Sequence, residues 1–151
     1  MLRRYNAATL ETVGMKPYTL CCASTVVLFL LFSAGTALAD PKGVWLAEDG
    51  AHVHVSKCGQ GLCAAIVAPK TGGPATDANN PDPAQRDRPL VGVTVLYNMM
   101  PDGPGKWSGT LYNTDDGHTY PGHLLELGPS TIRIEGCAIG ICGGKNLSRL
   151  Q

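Results

Sequence analysis

Turn-forming residues recur at short intervals along most of this chain, and their spacing limits the fold more than any other feature. From Gly43 onward, the chain consists of short segments in which apolar and polar residues alternate. Glycine, proline, asparagine or aspartate separates these segments roughly every 8 to 12 residues. This pattern is typical of an all-β antiparallel sandwich or barrel and shows no helical apolar period. We predict about eight strands, in GVWLAE, AHVHVSKC, LCAAIVA, LVGVTVLYNM, GKWSGTLYN, HTYPGHLLEL, STIRIEGC and CGGKNLSRL.

One connection, from Pro69 to Pro89, is too long to be a tight turn. Loops longer than about 12 to 15 residues are uncommon inside compact domains, and are usually functional or disordered. This loop is also the densest cluster of polar side chains in the sequence, so we treat it as a candidate surface for a ligand or partner. The candidate residues in it are Asp77, Asn80, Asp82, Arg86 and Arg88.

The two arginines of the loop allow two interpretations. An extended backbone, which Pro89 favours at Arg88, would point Arg86 and Arg88 to the same side. Two neighbouring guanidinium groups can hold a carboxylate or phosphate of a ligand or partner. The structural interpretation, which we favour, is that the arginines pair with Asp77 and Asp82 and fix the loop to the barrel.

Two patterns could bind a metal ion. The acidic and amide side chains of the loop could bind calcium, but they lack the glycine and terminal glutamate of an EF-hand, and Asn80-Pro81 is typical of a turn. His52 and His54 share one strand face, a spacing that can bind a transition metal, yet we expect that face to be solvated. His118 and His123 fall on opposite faces and add no third ligand. We therefore predict no metal and no cofactor.

The first 39 residues are predicted to be a signal peptide. The apolar run VVLFLLF is followed by Ala37-Leu38-Ala39, which is typical of a secretory cleavage site. The run is too short to cross a bilayer, which takes about 20 apolar residues. We predict cleavage after Ala39, which also removes Cys21 and Cys22, and a periplasmic or secreted protein with no membrane span in residues 40–151. Met15-Lys16 would be a more ordinary start than Met1.

The predicted mature chain is nearly neutral. Removing the 3 basic and 1 acidic residues before Asp40 from totals of 12 and 12 leaves 9 and 11, a net charge of −2. Such a mixed surface gives no electrostatic reason to expect nucleic-acid binding. The length is enough for one domain with a single core, for which covalent cross-links would be useful.

The mature chain has four cysteines in two pairs of identical spacing, CGQGLC from Cys58 to Cys63 and CAIGIC from Cys137 to Cys142. Disulfides prevail in exported proteins, and cysteines flanking a four-residue hairpin loop sit at a separation that a disulfide accepts. We predict local pairing within each motif. The alternative is a metal site with four thiolates.

If the two cysteines of each pair lie directly opposite each other, their positions also set the strand register. It places Val55 opposite Ile66 in the first hairpin, and Ile132 opposite Leu147 in the second. The second register turns Lys145 inward, a conflict that a bulge at Gly143-Gly144 would resolve. Pro121, inside a strand, implies a bulge or an edge at that position.

Several short motifs occur in the order shown by a bacterial family. They are Gly43-x-Trp45, Glu48-Asp49-Gly50, the Cys58 and Cys63 pair, Asp77, Asn80-Pro81-Asp82, Arg86-x-Arg88-Pro89-Leu90-x-Gly92, Trp107-Ser108-Gly109, Tyr112-Asn113, Asp116-Gly117 and Tyr120. Together they resemble the family called domain of unknown function 2147, over essentially all of the mature chain. The resemblance implies a small exported protein with a lipocalin-like, up-and-down barrel, and it implies no established activity.

The resemblance also implies a structural role for two residues at the ends of the barrel sequence. Lipocalin-like barrels place a first-strand Gly-x-Trp beneath an arginine of the last strand, and Trp45 and Arg149 are the matching pair. Such a cation–π contact is worth roughly 0.5 to 2 kcal/mol. Where the family's last strand looks like Trp-x-Arg, this chain has Leu147-Ser148-Arg149, so no aromatic side chain can stack at that position.

These features favour a binding protein. A barrel of about eight strands can be filled by side chains or can hold one small ligand, so we expect a small apolar or amphipathic ligand inside, with the 69–89 loop as lid or rim. The alternative is a filled barrel whose loop binds a protein or envelope partner. Recognisable catalytic motifs are absent from the sequence, so we predict no enzyme; an undetected hydrolase or isomerase is the remaining hypothesis. The strand residues proposed for the binding wall or site are Val93, Val95, Tyr97, Trp107, Leu111, Tyr112 and Tyr120.

Overall fold

The structure, a computed structural model, describes residues 40–150, and the predicted signal peptide lies outside them. Within that range there are eight strands and one short 3₁₀ turn at Pro83–Gln85. None of the helical segments within residues 40–150 is long and apolar enough to span a membrane. The strands are β1 Gly43–Ala47, β2 His52–Cys58, β3 Gly61–Ala68, β4 Thr94–Pro101, β5 Lys106–Asn113, β6 His118–Gly128, β7 Thr131–Ala138 and β8 Ile141–Arg149.

Each strand pairs antiparallel with the next, and β8 pairs with β1, so the sheet closes into a barrel. This confirms the predicted all-β, up-and-down architecture. Because every connection reverses the chain direction, alternate connections lie at the same end. We call the end formed by the β1–β2, β3–β4, β5–β6 and β7–β8 connections the mouth. The opposite end, where β1 begins and β8 finishes, is called the closed end.

The contact between Trp45 and Arg149 that the resemblance implies is present at the closed end. The Arg149 guanidinium carbon lies 4.2 Å from the centroid of the Trp45 ring, and the two residues face each other across the β1–β8 pairing. Trp45 is fully buried. Its indole nitrogen donates to the carbonyl oxygen of Pro41 at 2.8 Å, which satisfies the one polar atom of the side chain.

Arg149 also holds three backbone carbonyl groups. Its Nη2 donates to the oxygen of Asp40 at 2.6 Å, its Nη1 to that of Lys42 at 2.9 Å, and its Nε to that of Pro129 at 3.2 Å. These oxygens belong to the segment before β1 and to the β6–β7 turn. One side chain therefore joins the last strand to two other parts of the closed end.

Large apolar side chains fill the closed half of the barrel. They are packed in one cluster that includes Trp45, Val55, Leu62, Leu96, Met99, Leu124 and Ile132. Smaller residues, among them Ala47, Ala51, Gly136 and Gly143, line the interior toward the mouth, where a cavity opens. The barrel is thus filled at one end and open at the other.

Both predicted disulfides are present, but the first hairpin differs from the predicted register. Cys58 lies opposite Gly61 and not opposite Cys63, so the disulfide joins diagonal neighbours. The turn contains two residues instead of four, because Gly59 adopts the left-handed conformation (φ 60°) that a tight hairpin turn requires.

The shorter turn moves the cross-strand partners of Val53 to Cys58 by two residues. Ile66 therefore lies opposite Val53 and not opposite Val55 as predicted. A shift of two residues leaves every side chain on its predicted face, because side chains alternate with a period of two. Val53 and Val55 are both buried, so they lie on the inner face of the barrel.

The second hairpin has the predicted register, with Cys137 opposite Cys142 and Ile132 opposite Leu147. The bulge predicted at Gly143-Gly144 is wrong, because the pairing runs through both glycines without a shift. Pro121 pairs with β5, while pairing with β7 begins one residue later. The proline therefore lies where β6 is paired on one side, which is a local edge as predicted.

Arg149→Ala tests the closed end. The change removes the cation–π contact and three hydrogen bonds to carbonyl groups, so we expect the free energy of unfolding to fall by about 2 to 3 kcal/mol. Arg149→Lys keeps the charge but lacks the fork of donors, and should recover only part of the loss. Urea denaturation measures both.

The matched control for this prediction is Arg133→Ala. The Arg133 guanidinium pairs with Glu135 at 3.0 Å and donates to Asn146 at 3.2 Å within one sheet region. An ion pair of this kind contributes about 1 kcal/mol or less. Equal losses for the two alanine variants would contradict a special role for Arg149.

Candidate functional site

A cavity of about 550 Å³ opens at the mouth of the barrel. Sites for small molecules typically measure about 300 to 1,000 Å³ and are mostly apolar with a few polar groups. The apolar part of the wall includes inward-facing residues of six strands, Val53, Ile66, Val95, Leu111, Ile134 and Leu147. In size and lining, the cavity is suited to a small organic molecule.

The space exists because β7 and β8 carry glycines where they approach the mouth. A Cβ atom at Gly143 would meet no heavy atom of residues 40–150 within 4 Å, and one at Gly136 would first meet Tyr120 and Leu111 at 3.3 and 3.4 Å. Gly143 shares a strand face with Lys145 and Leu147. Larger side chains at these glycines would occupy the cavity.

Two ion pairs lie at the rim of the cavity. Lys145 Nζ lies 2.6 Å from Asp49 Oδ2, and Lys70 Nζ lies 2.5 Å from Asp115 Oδ1. Lys145 therefore does turn inward, as the register predicts, and Asp49 resolves the conflict that the bulge was expected to resolve.

The protonation states of these rim groups follow from their contacts. Burial alone would raise the pKa of the Asp49 carboxyl, but hydrogen bonds from Lys145 and the Ala51 amide outweigh it and hold that pKa below its usual value. The hydrogen bond to Asp115 raises the pKa of Lys70. Asp49 and Lys70 are consequently charged at neutral pH, so a charged rim surrounds an apolar interior.

The long connection is ordered around the fully buried carboxylate of Asp77. Asp77 Oδ1 accepts from the Tyr112 hydroxyl at 2.7 Å. Its Oδ2 accepts from Asn80 Nδ2 at 2.7 Å, and from Arg88 Nη2 at 2.6 Å and Nε at 3.0 Å. Because Tyr112 belongs to β5, this cluster attaches the connection to the barrel, and the predicted Asp77–Arg88 pairing is confirmed.

The rest of the predicted arginine arrangement is wrong. The chain turns through Pro83–Gln85 instead of running extended, so Arg86 and Arg88 form separate contacts. Arg86 Nε donates to the carbonyl oxygen of Asn80 at 2.8 Å. Asp82 does not pair with an arginine; its Oδ1 caps the short turn by accepting from the Ala84 amide at 3.0 Å. Asn80 Oδ1 accepts from the Asp82 amide, which is the turn predicted at Asn80-Pro81.

The connection also rests on the β5–β6 turn. Asn79 Nδ2 donates to the carbonyl oxygens of Thr114 and Asp115, at 3.3 and 2.9 Å. A Cβ atom at Gly117 would lie only 1.9 Å from the Asn79 carbonyl oxygen, so this close approach requires glycine. The connection in turn contributes Pro69, Lys70, Pro74 and Leu90 to the cavity lining.

The structure brings some of the predicted site residues to the cavity and places others elsewhere. Val95, Leu111, Tyr112 and Tyr120 line it. Val93 is buried between connection and barrel, Trp107 packs beside the closed-end core, and Tyr97 is partly exposed. The β3–β4 pairing shifts between Ala64 and Ala65, so Leu96 takes the buried position and its neighbour Tyr97 lies on the exposed face. Sequence reasoning missed the rim residues Asp49, Lys70 and Asp115, for which turn composition carries no signal.

A serine and a histidine lie side by side on the outer surface, but not in an order that activates a nucleophile. Ser108 Oγ donates to Asp102 Oδ2 at 2.5 Å and lies 2.9 Å from His123 Nδ1. A carboxylate can only accept, so the hydroxyl hydrogen points to Asp102, and His123 donates to Ser108. A serine nucleophile needs a histidine that accepts its proton.

Asp77→Asn tests whether the buried carboxylate holds the connection in place. The variant leaves Arg88 and Tyr112 without their charged partner, so we expect the free energy of unfolding at pH 7 to fall by about 2 to 3 kcal/mol. Asp87→Asn, an exposed change in the same connection, is the control and should have little effect.

We also expect the loss of stability in Asp77→Asn to depend on pH. Burial would raise the pKa of the Asp77 carboxyl, but the hydrogen bonds from Asn80, Tyr112 and Arg88 lower it below its usual value. A depressed pKa contributes stability above the ordinary value of about 3.9, and this stability is lost as pH falls through the folded-state pKa. Urea titrations should therefore show the difference between wild type and Asp77→Asn shrinking below about pH 4. A difference that does not change with pH would contradict the assignment.

Known proteins share this architecture. The solved structure described as "Protein HP1028 from the human pathogen Helicobacter pylori belongs to the lipocalin family" superposes with a TM-score of 0.66 at 20% sequence identity, covering 75% of this chain and 84% of that one. At this identity the likeness shows the fold alone, and it is lipocalin-like. A search of curated proteins finds no significant match.

A sequence model of one family covers most of the chain. It matches residues 43–149, from the first residue of β1 to the last residue of β8. The family is described as "Uncharacterized protein conserved in bacteria". The chain therefore belongs to the bacterial family called domain of unknown function 2147, as its motifs predicted.

Proposed function

We propose that this protein binds a small, partly apolar molecule in the mouth cavity, with the 69–89 connection forming part of the rim. The observation that carries the proposal is the uneven filling of the barrel. Large side chains pack the closed half, whereas glycines and alanines leave about 550 Å³ open at the mouth. A barrel that served only as a rigid scaffold would gain stability by filling that space.

The wall and rim together define the chemistry of the ligand. The deep wall is aliphatic, with Val53, Leu111 and Leu147 facing the space. The rim carries the Lys145–Asp49 and Lys70–Asp115 pairs. An amphipathic ligand would place its apolar body against the wall and its polar end among the rim charges. Each buried methylene group contributes about 0.8 kcal/mol, so affinity should rise about fourfold per added CH₂ until the cavity is full.

The alternative, a filled barrel with a partner-binding loop, has less support. That alternative requires the guanidinium groups of Arg86 and Arg88 to be free to bind an anion. Both guanidinium groups instead donate hydrogen bonds to other atoms of the 69–89 connection. We also propose that the protein acts after export, as the N-terminal sequence predicts. Edman sequencing of protein recovered outside the cytoplasm should begin at Asp40.

Gly143→Leu tests the cavity directly. The leucine side chain would enter open space without meeting backbone, so it should fill the cavity while leaving the barrel folded. We expect an amphipathic fluorescent probe, anilinonaphthalene sulfonate, to bind the wild type at one site per chain. The Gly143→Leu variant should bind it at least about tenfold more weakly, since the aliphatic wall is then covered.

Ser148→Leu is the matched control, because it adds the same side chain to the exposed face of the same strand. It should bind the probe as the wild type does. Urea denaturation of all three proteins would verify that they are folded. If Gly143→Leu binds the probe as tightly as the wild type does, the probe binds outside the cavity and the proposal is contradicted. A wild type that binds no probe would also contradict it.

A further inference from the structure

A second chemical cluster lies on the outside of the barrel, apart from the mouth cavity. It consists of His123 on β6, Cys137 on β7 and Cys142 on β8, three adjacent strands. A ring nitrogen of His123 and the two cysteine sulfurs all lie within 4.8 Å of one another. The strand pairing holds them there, since His123 lies opposite Glu135 and Cys137 opposite Cys142.

The hydrogen bonds of His123 select one form of its ring. Ser108 gives its single hydrogen to Asp102 Oδ2, so the contact of 2.9 Å between Ser108 Oγ and His123 Nδ1 requires hydrogen on Nδ1. In the neutral ring, Nε2 then carries the free lone pair. Metal-binding histidines typically donate from their second ring nitrogen to a carboxylate, a backbone carbonyl or a water, and in this protein the hydroxyl of Ser108 accepts that hydrogen bond.

We propose that reduction of the Cys137–Cys142 disulfide creates a zinc-type site made of His123 Nε2 and the two cysteine sulfurs. In the oxidised protein the sulfurs are bonded to each other and are not thiolates, which are the form that binds metal. A dithiol reductant supplies two electrons and two protons, breaks the S–S bond and becomes a disulfide itself. Binding of Zn²⁺ then releases the two thiol protons.

The geometry suits this ion. Zinc binds sulfur at about 2.3 Å and nitrogen at about 2.0 Å, so tetrahedral ligand atoms lie about 3.5 to 3.8 Å apart. Small side-chain movements bring atoms within 4.8 Å to those separations. Two sulfurs and one imidazole leave the fourth position to water, and soft thiolate ligands favour Zn²⁺ or Cu⁺ over hard cations. Cys142 is exposed, so a reductant can reach the bond.

The other cysteine hairpin provides an internal comparison. Cys58 and Cys63 have the same spacing and also form a disulfide. Among residues 40–150, however, the cluster with His123 is the one group of three or more such ligands close enough to hold a metal ion. Reduction should therefore create a three-ligand site at one hairpin and a bare dithiol at the other.

Cobalt binding tests the proposal. The full chain, with Cys21→Ser and Cys22→Ser so that only the four barrel cysteines remain, is titrated with Co²⁺ with and without a phosphine reductant. We expect one Co²⁺ per reduced chain, with thiolate-to-cobalt charge-transfer absorption that Zn²⁺ abolishes, and none per oxidised chain. Adding Cys58→Ser and Cys63→Ser should preserve this signal, and adding Cys137→Ser and Cys142→Ser should remove it.

Two further variants separate the proposed site from simple dithiol chelation. Ser108→Ala should weaken binding about 10- to 100-fold, as loss of a supporting hydrogen bond does at other metal sites, and His123→Ala should weaken it more. Circular dichroism before and after reduction verifies that each variant remains a barrel. Equal cobalt binding at the two hairpins, binding that His123→Ala leaves unchanged, or no binding by the reduced chain would each overturn the proposal.

Discussion

Closure of the barrel depends on a short contact between its first and last strands. β1 and β8 pair at only three positions, from Trp45–Arg149 to Ala47–Leu147. Without that contact both strands would be open edges, and the interior would be exposed to water along one side. Arg149 reinforces the contact by stacking on Trp45 and by donating to carbonyl groups on either side of it. This pairing completes the closed sheet that surrounds the core and the cavity.

The two ends of the barrel use the same strands for different purposes. Toward the closed end the inward positions carry large side chains, whereas toward the mouth glycines and alanines occur among the aliphatic residues of the wall. Atoms that line a cavity have fewer packing partners, so the mouth gains less from dispersion and should be the less stable end. The long connection offsets part of that deficit, because the buried Asp77 carboxylate attaches it to β5 through Tyr112. Because it is anchored in this way, the connection can form part of the rim without collapsing into the cavity.

What the residues alone could predict was local, whereas the distant Trp45–Arg149 contact was implied by the family resemblance. Alternating segments and turn residues identify the eight strands, and the cysteine motifs identify the two disulfides, because both depend on residues close together in the chain. The register of the first hairpin could not be predicted, since CGQGLC accommodates a turn of two or four residues. The partner of Lys145 could not be predicted either, because Asp49 lies 96 residues away. His123 likewise meets Cys137 and Cys142 only through the pairing of β6 with β7.

We propose that the open half of the barrel holds a small molecule. Native mass spectrometry of the protein, purified gently from its own host, tests it most directly. We expect a mass for the disulfide-bonded chain plus a small adduct that is lost on mild denaturation. A bare mass, unchanged when amphipathic molecules are added, would contradict it.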